Sequence, residues 1–195
     1  MAAAGKVCTG FSLPYVALYS CTEGTIAYTS GQKLARGVDV SIEPDTSDDN
    51  KFFADNVAAE TDGATFTGGT LSLTVDGLLS AAERLIMGLP AADNSGWITY
   101  DDDQAAPYVG VGFIARYQSE GTVTYVPIVI VKAVFNQLQS SYATSEDSKN
   151  YQTQTLTAQI LRADDAKHSW KKIQTTDYST EATAEAALKT ALNIT

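Results

Sequence analysis

Histidine and cysteine, the side chains on which many active sites and metal centres depend, are almost absent from this sequence. Its 195 residues include one histidine, His168, and two cysteines, Cys8 and Cys21. These side chains cannot complete a four-ligand zinc site of cysteine and histidine, and no recognisable motif builds a catalytic dyad or triad around His168. The histidine falls in a polar turn before Trp170, which favours an exposed residue. We therefore predict no enzyme activity, no catalytic residue, no cofactor and no bound metal.

The shortage of cysteine also bears on disulfides and on the compartment. Two thiols cannot form a disulfide framework, and a single Cys8–Cys21 bridge needs both residues on neighbouring strands. Two reduced, buried thiols in a cytosolic product are favoured, and the bridge stays open as the alternative. Residues 1–6 hold no charged segment followed by a long apolar run, so no secretory signal is predicted. No run of about 18 apolar residues occurs, so we expect no membrane insertion.

Positive charge is scarce as well. Lysine and arginine total 13 against 23 aspartate and glutamate residues, which gives a formal net charge of −10. This balance argues against nucleic-acid binding, because affinity for phosphates comes from clustered cations. It does not argue against DNA passing nearby, since an acidic wall repels DNA and lets it move without sticking.

Two fragments resemble ligand-binding motifs but lack essential parts. The run Asp101, Asp102 and Asp103 offers carboxylates for calcium, yet it lacks the glycine and the closing glutamate of a calcium loop, so a solvated turn is favoured. Gly110 and Gly112 form only part of a dinucleotide-binding pattern and lie inside a predicted strand. Glycine at such a position more often marks a close approach or a bend.

Hydrophobic residues recur with a period of two along much of the chain, which predicts strands. In 37–43, the residues Val38, Val40 and Ile42 point to one side, and Pro44 is expected to end the strand. In 70–76 the inward-facing residues are Leu71, Leu73 and Val75. Further strands are predicted over 15–21 and 151–163.

Two longer predicted strands, 108–119 and 123–134, form an antiparallel hairpin because only a short connection around Gly121 joins them. The second strand carries the run 126–131, which is apolar on both faces and so needs cover from the core and from something else. Pro127 favours an edge position or a bulge there, because proline has no amide donor. The residues predicted to form a sheet surface shared between copies are Val126, Ile128, Val129, Ile130 and Val131.

Two segments switch to the helical period. In 78–89, Ser80 and Glu83 form a capping box, and Gly88 gives the stop signal. In 180–193, an alanine and leucine stripe predicts a second packed helix. Since neither helix alternates regularly with strands, the predicted fold is mainly β: a β-sandwich or barrel with one packed α-helix and a C-terminal α-helix.

The chain shows no linker, so we expect one domain over 1–195, with the C-terminal helix in 179–195. Its longest irregular region is 44–65. Long loops without their own structure usually have a function, and an exposed Phe-Phe pair there suggests a surface that meets a partner. The alternative, a short strand on the core at Phe52 and Phe53, stays open. The candidate contact residues are Asp45, Asp48, Asp49, Phe52, Phe53, Asp55 and Asn56.

Several local patterns resemble, in the expected order, the major tail-tube proteins of siphophages, whose fold is shared by lambda-type tail proteins and type VI secretion tube proteins. The matching segments are the strand 38–43 with Pro44 after it, FADN at 53–56, GGTLSL at 68–73 before the capped helix, PYVGVGF at 107–113, and QTLTA at 154–158 with the acidic turn and Trp170 beyond. Together they span residues 11–175, and the ordered set is more specific than any one segment. Residues 1–10 match nothing and are interpreted as a mobile or stacking arm.

The resemblance implies a β-sandwich subunit that closes into a hexameric ring, with rings stacked head to tail around a lumen. Segment 44–65 matches in position the long loop that such proteins use between subunits and rings. The implied role is the tail tube of a virion, a conduit for DNA during genome ejection, assembled in the host cytoplasm. The implied partners are further copies of the chain, a tape-measure protein and tail terminator or tip proteins. DNA would pass through the lumen without specific binding.

Other functions stay open. A phage-derived particle, such as a contractile tail, a bacteriocin or a gene-transfer agent, uses the same kind of tube subunit. A secreted β-sandwich binding module, an adhesin or a carbohydrate-binding domain, needs a secretory signal and an exposed aromatic platform. Tyr15, Tyr19 and Tyr28 are the candidates for that platform. A small hydrolase is the least favoured class.

Overall fold

A computed structural model describes residues 5–48, 50–140, 142, 144 and 152–194, and its mainly β fold confirms the predicted class. The helices are α1 (Ser80–Met87) and α2 (Glu181–Ala191). The strands are β1 (Val7–Thr22), β2 (Thr25–Lys33), β3 (Gly37–Thr46), β4 (Asn50–Ala54), β5 (Val57–Asp62), β6 (Phe66–Val75), β7 (Val109–Ser119), β8 (Thr122–Phe135), β9 (Gln154–Ile160) and β10 (Lys171–Ile173). Neither helix of the described part has the length and apolarity that crossing a membrane requires.

Antiparallel pairing orders the main sheet β2-β1-β7-β8-β9-β6-β3, with β10 beside β8. The sheet folds over at β8, where residues 128–130 pair with β10 and residues 133–135 pair with β9. One layer is therefore β2-β1-β7-β8-β10, and the other is β9-β6-β3. Leucines of β6 and β9 share one buried cluster with valines of β1 and β7, so the two layers pack face to face as a β-sandwich.

The period-two patterns identify most inward-facing residues. No surface is exposed on Leu71, Leu73 and Val75. Val40 and Ile42 pack partly buried against the core, but Val38 is 54% exposed, so its predicted inward position is wrong. The register of β3 against β6 shifts at the start of β3, and this bulge turns Val38 outward.

Pro44 does not end β3, which continues to Thr46, so the predicted strand end is wrong. In the main sheet β3 is an edge strand paired with β6 alone, and Pro44 lies opposite Gly69 in that ladder. An edge strand tolerates proline because the missing amide faces no further strand.

The N-terminal residues take part in the sheet. β1 begins at Val7, and residues 7–10 pair with β7. Residues 7–10 are therefore not a mobile arm, whereas a stacking role for them stays a prediction, and residues 1–4 lie outside the described residues. The sequence Val-Cys-Thr-Gly has no clear alternation, so its pairing comes from the long neighbouring strand and not from a local pattern.

The predicted hairpin of β7 and β8 is confirmed. Its turn residues Glu120 and Gly121 have φ angles of 48° and 84°, which are typical of a type I′ turn. The register counted from this turn places Pro127 opposite Ile114, at a pair that exchanges no backbone hydrogen bonds. On its other side, Pro127 O accepts from Gln174 N at 3.0 Å. The nitrogen of Pro127 therefore faces the β10 side, where β10 pairs only with residues 128–130. The missing donor lies just beyond the paired residues, which agrees with the predicted edge position.

The start of α1 differs from the prediction, and its end does not. Leu79 is the N-cap residue without a side-chain cap, so the predicted capping box of Ser80 and Glu83 is wrong. Leu79 N donates to Leu34 O at 3.2 Å, and Leu79 O accepts from Glu83 N at 2.9 Å. Because of this backbone pairing, Leu79 takes the cap position that was predicted for Ser80, and Ser80 is the first residue of the helix. Gly88 ends it with a φ of 66°, as predicted.

The C-terminal helix α2 covers the outer face of the layer that contains β7 and β8. Thr180 caps it, with Oγ1 accepting from Thr183 N at 3.3 Å. Ala184 and Leu188 of this helix are fully buried, and so is Leu192, which follows its last residue. Gly112 lies beneath them, where a Cβ would stand 2.6 Å from Leu188 Cδ1. The prediction that glycine in this strand marks a close approach is confirmed.

Candidate interaction surfaces

The apolar run of β8 is covered within a single chain. The residues predicted to form a shared surface are at most 6% exposed: Val126, Ile128, Val129, Ile130 and Val131. Ile130 packs in the core between the layers, and Val129 packs beneath α2 beside Leu188. The expectation that another copy must cover this strand is wrong, because the C-terminal helix supplies the second cover.

The tyrosines considered for an exposed aromatic platform belong to the apolar cluster that α2 helps to form. Tyr15 and Tyr28 are each 5% exposed. The Tyr15 hydroxyl donates to Glu185 Oε1 at 2.5 Å, and the Tyr28 hydroxyl donates to Val131 O at 3.0 Å. Tyr19 packs partly buried, edge-on to the Tyr28 ring, with centroids 6.2 Å apart. The platform predicted for the binding-module alternative is therefore wrong.

Lys132 is a buried charged residue that the sequence analysis missed. Its Nζ lies 2.7 Å from Asp164 Oδ2, and 4.4 Å and 5.3 Å from the ring centroids of Tyr108 and Tyr19. The hydrogen bond from Lys132 lowers the pKa of the Asp164 carboxyl, which keeps this partner anionic at neutral pH. An anion and two ring faces thus satisfy the ammonium group, and the pair fastens the segment after β9 to the sheet. The one feature of the sequence that could have indicated this buried charge is a lysine directly after the apolar run 126–131.

Alkaline titration is expected to show a group of late-ionising tyrosines, since burial also raises the pKa of Tyr15 and of Tyr28. Burial raises the pKa of Tyr19 to about 12, and burial together with a 2.7 Å hydrogen bond to Glu83 raises the pKa of Tyr100 to about 12. Tyrosine in an unfolded chain ionises near pH 10. The stability from these raised pKa values is therefore present below about pH 10 and is lost as the pH rises towards about 12.

Tyrosinate absorbance and the melting temperature, both followed against pH, measure this effect. Tyr100→Phe is the matched variant and should remove one late-titrating group. Folded protein in which all 10 tyrosines ionise together near the unfolded value would contradict the prediction.

The residues considered for chemistry are scattered. His168 lies in an exposed turn, as predicted, with a φ of 50° and Nδ1 3.2 Å from Ala163 O. Cys8 is exposed and Cys21 half-buried, and both are free, so their predicted burial is wrong. They stand at opposite ends of β1, roughly 40 Å apart at about 3.3 Å per residue, which excludes a bridge within one chain. Among the described residues, no three His, Cys, Asp or Glu side chains form a group that could hold a metal ion.

Segment 44–65 has secondary structure of its own, so its prediction as an irregular loop is wrong. It completes β3 and forms a hairpin of β4 and β5. The two strands pair only with each other, in a sheet separate from the main one. Asp55 and Asn56 have φ angles of 51° and 63°, which again indicates a type I′ turn. The Asp-Asn pair between short strands was the local signal for it.

The hairpin is an acidic projection. Its turn residues Asp55 and Asn56 are exposed, and so are the predicted contact residues Asp45 and Asp48, which precede the hairpin. Val57, just after the turn, is 67% exposed. Asp49 and the side chains of Phe52 and Phe53 lie outside the described residues, so the prediction made for them stays a prediction.

The outer face of the β9-β6-β3 layer is polar. Its cross-strand rows are Asp39–Thr74–Thr155, Ser41–Ser72–Thr157 and Glu43–Thr70–Gln159. The hydroxyls of Thr74 and Thr155 are hydrogen bonded at 3.0 Å. Hydroxyl and amide groups thus cover the middle of this face, carboxylates stand along its β3 edge, and these rows contain no lysine or arginine.

A groove of about 580 Å³ lies between α1 and the edge strand β2. Its lining residues include the apolar Leu18, Leu85, Leu89 and Pro107 and the polar Ser30, Gln32 and Arg84. Gln32 Nε2 donates to Ala81 O at 2.7 Å, and Arg84 Nε donates to Pro90 O at 2.9 Å, so both walls are held in place. No local sequence pattern predicts this groove, because β2 and α1 are distant in the chain.

Comparison with protein-family models and with curated proteins finds no match to this chain. Three surfaces of the described residues are therefore the candidates for function. These are the acidic hairpin of β4 and β5, the polar face of the β9-β6-β3 layer, and the groove between α1 and β2.

Proposed function

We propose that this chain is the tube subunit of a long phage tail, which closes into rings of six that stack head to tail around a lumen through which DNA passes. The observation that carries the proposal is the outer face of the β9-β6-β3 layer. A conduit wall must not hold DNA, and a face of hydroxyls and carboxylates offers no cation to a phosphate. The net charge of −10 has the same consequence.

The edges of the sandwich support self-association. Part of β9 is unpaired on the side towards β8, which pairs with its residues 158–160 alone. A ring in which a neighbouring copy covers this part of β9 would remove an exposed edge. The resemblance of segments spanning residues 11–175 to siphophage tube proteins points to the same assembly.

The partners in this proposal are further copies of the chain, a tape-measure protein, and terminator or tip proteins, in a virion tail assembled in the host cytoplasm. A tube subunit of a phage-derived particle has the same requirements and remains the second candidate. The secreted binding module loses its main support, because Tyr15 and Tyr28 are buried.

Negative-stain electron microscopy of the concentrated protein tests the proposal. Rings or cylinders with a central channel are expected, with subunits spaced evenly along the cylinder. Dilution in parallel should reverse assembly, because a contact between identical copies depends on concentration. A monodisperse monomer at every concentration, ionic strength and pH tried would overturn the proposal.

A further inference from the structure

The acidic hairpin and the groove lie at opposite ends of the sandwich. The hairpin of β4 and β5 directly precedes β6, and α1 follows β6 after a few residues. β6 is ten residues long, which separates its two ends by roughly 30 Å at about 3.3 Å per residue. A hairpin at one end of a strand cannot enter a groove at the other end of the same chain, so a contact between them joins two copies.

The two edge strands nearest these sites differ in how they are protected. The β3 edge carries Asp39, Glu43 and Asp45 together with Pro44, which are the devices that block pairing with another strand. The β2 edge carries no charged residue from position 25 to 32. Its free backbone groups lie beside the groove, so this is the edge left open to a partner.

Charge and shape in the groove select an acidic, partly apolar occupant. Arg84 lines the groove and uses Nε on Pro90 O, which leaves its terminal nitrogens free to bind an anion. Arg84 forms no ion pair with the part of the chain that the structure describes. Leucine and proline side chains form the rest of the wall.

The hairpin tip has the matching properties. Asp55 and Asn56 form its turn, and Val57 beside them is 67% exposed. An isolated two-stranded hairpin is marginally stable in water, so this one gains from a partner. The volume of about 580 Å³ falls in the range of a pocket that holds a few side chains and not a whole domain.

We propose that the tip of the hairpin of β4 and β5 in one copy docks into the groove between α1 and β2 of the next copy, with Asp55 facing Arg84. The inference rests on the proposed function and supplies its axial contact. Because the hairpin tip and the groove lie at opposite ends of the sandwich, the contact does not close on itself and each copy can receive another, which generates a filament.

Charge reversal tests the pairing. Arg84→Glu or Asp55→Lys alone is expected to raise the protein concentration needed for cylinder formation at least about tenfold, because like charges then face each other. The double variant should restore assembly. Arg116→Glu is the control, since it makes the same charge change at an exposed position on β7. Sedimentation and electron microscopy measure assembly, and thermal melting checks that each subunit is folded.

The outcomes separate the two proposals. Single variants that assemble like the wild type and the Arg116→Glu control would overturn the docking and leave the groove to another protein or a small molecule, while the tube function stands. Folded single variants that fail to assemble, with no recovery in the double variant, would also overturn the pairing. A wild-type protein that never assembles would overturn both.

Discussion

Valine in place of Gly112 is expected to lower the free energy of unfolding by about 3 kcal/mol, the upper range for overpacking a filled core. A Cβ at Gly112 would stand 2.6 Å from Leu188 Cδ1 and 2.8 Å from Leu192 Cδ1. Those two leucines have no exposed surface and hold α2 on the sheet. The helix must therefore move outward, which also uncovers Val129 of β8.

Gly10→Val is the matched control, because no atom lies within 4 Å of a Cβ built at that strand position. Thermal or denaturant unfolding followed by circular dichroism gives the stability of both variants. Adding Leu188→Ala to the Gly112→Val variant should restore part of the lost stability, because the effects of substitutions at two residues in contact do not add. Equal stability of the Gly112 and Gly10 variants would contradict the packing of α2 on β7.

Local patterns in the sequence predicted the elements well where the periodicity is strong. Alternation in 70–76 gave the buried face of β6, and the glycine between two long strands gave the hairpin of β7 and β8. Gly88 marked the end of α1. Each of these features depends on residues within one or two turns of each other, so a single sequence contains the information.

The errors arise where a distant segment decides the environment. The run 126–131 indicated correctly that β8 needs cover on both faces, but not that α2, about sixty residues later, provides it. Tyr15 and Tyr28 look like exposed aromatic residues from their own strands, but both are buried in the cluster that this helix helps to form. The start of α1 is likewise set by a distant residue, because Leu34 O accepts a hydrogen bond from Leu79 N.

The candidate surfaces were predictable only in part. The acidic segment 44–65 was identified as a contact region, although its hairpin was not. The polar rows on β3, β6 and β9 need a register among three strands, and Thr74 and Thr155 meet across 81 residues of sequence. Composition predicted a surface that repels DNA, whereas the position of that surface required the pairing of the strands.

If the polar face lines the tube, cysteines placed on it and on α2 should differ strongly in their reaction with bulky reagents. Gln159 is exposed on the outer face of β9, and Ala186 is exposed on α2. If the β9-β6-β3 layer lines the lumen, a Gln159→Cys thiol in assembled cylinders should react with a small maleimide but not with a bulky polymer maleimide. An Ala186→Cys thiol should react with both reagents.

The labelling is read in a Cys8→Ser, Cys21→Ser background, because Cys8 is exposed and would react as well. Dissociated subunits are the internal control, since Gln159→Cys must then accept the bulky reagent. The discrimination depends on size alone, because both thiols lie on solvent-exposed regular structure of the same chain. Equal labelling of Gln159→Cys and Ala186→Cys by the bulky reagent in intact cylinders would place the polar face outside the tube. DNA would then move past other residues, even though the chain still builds a cylinder.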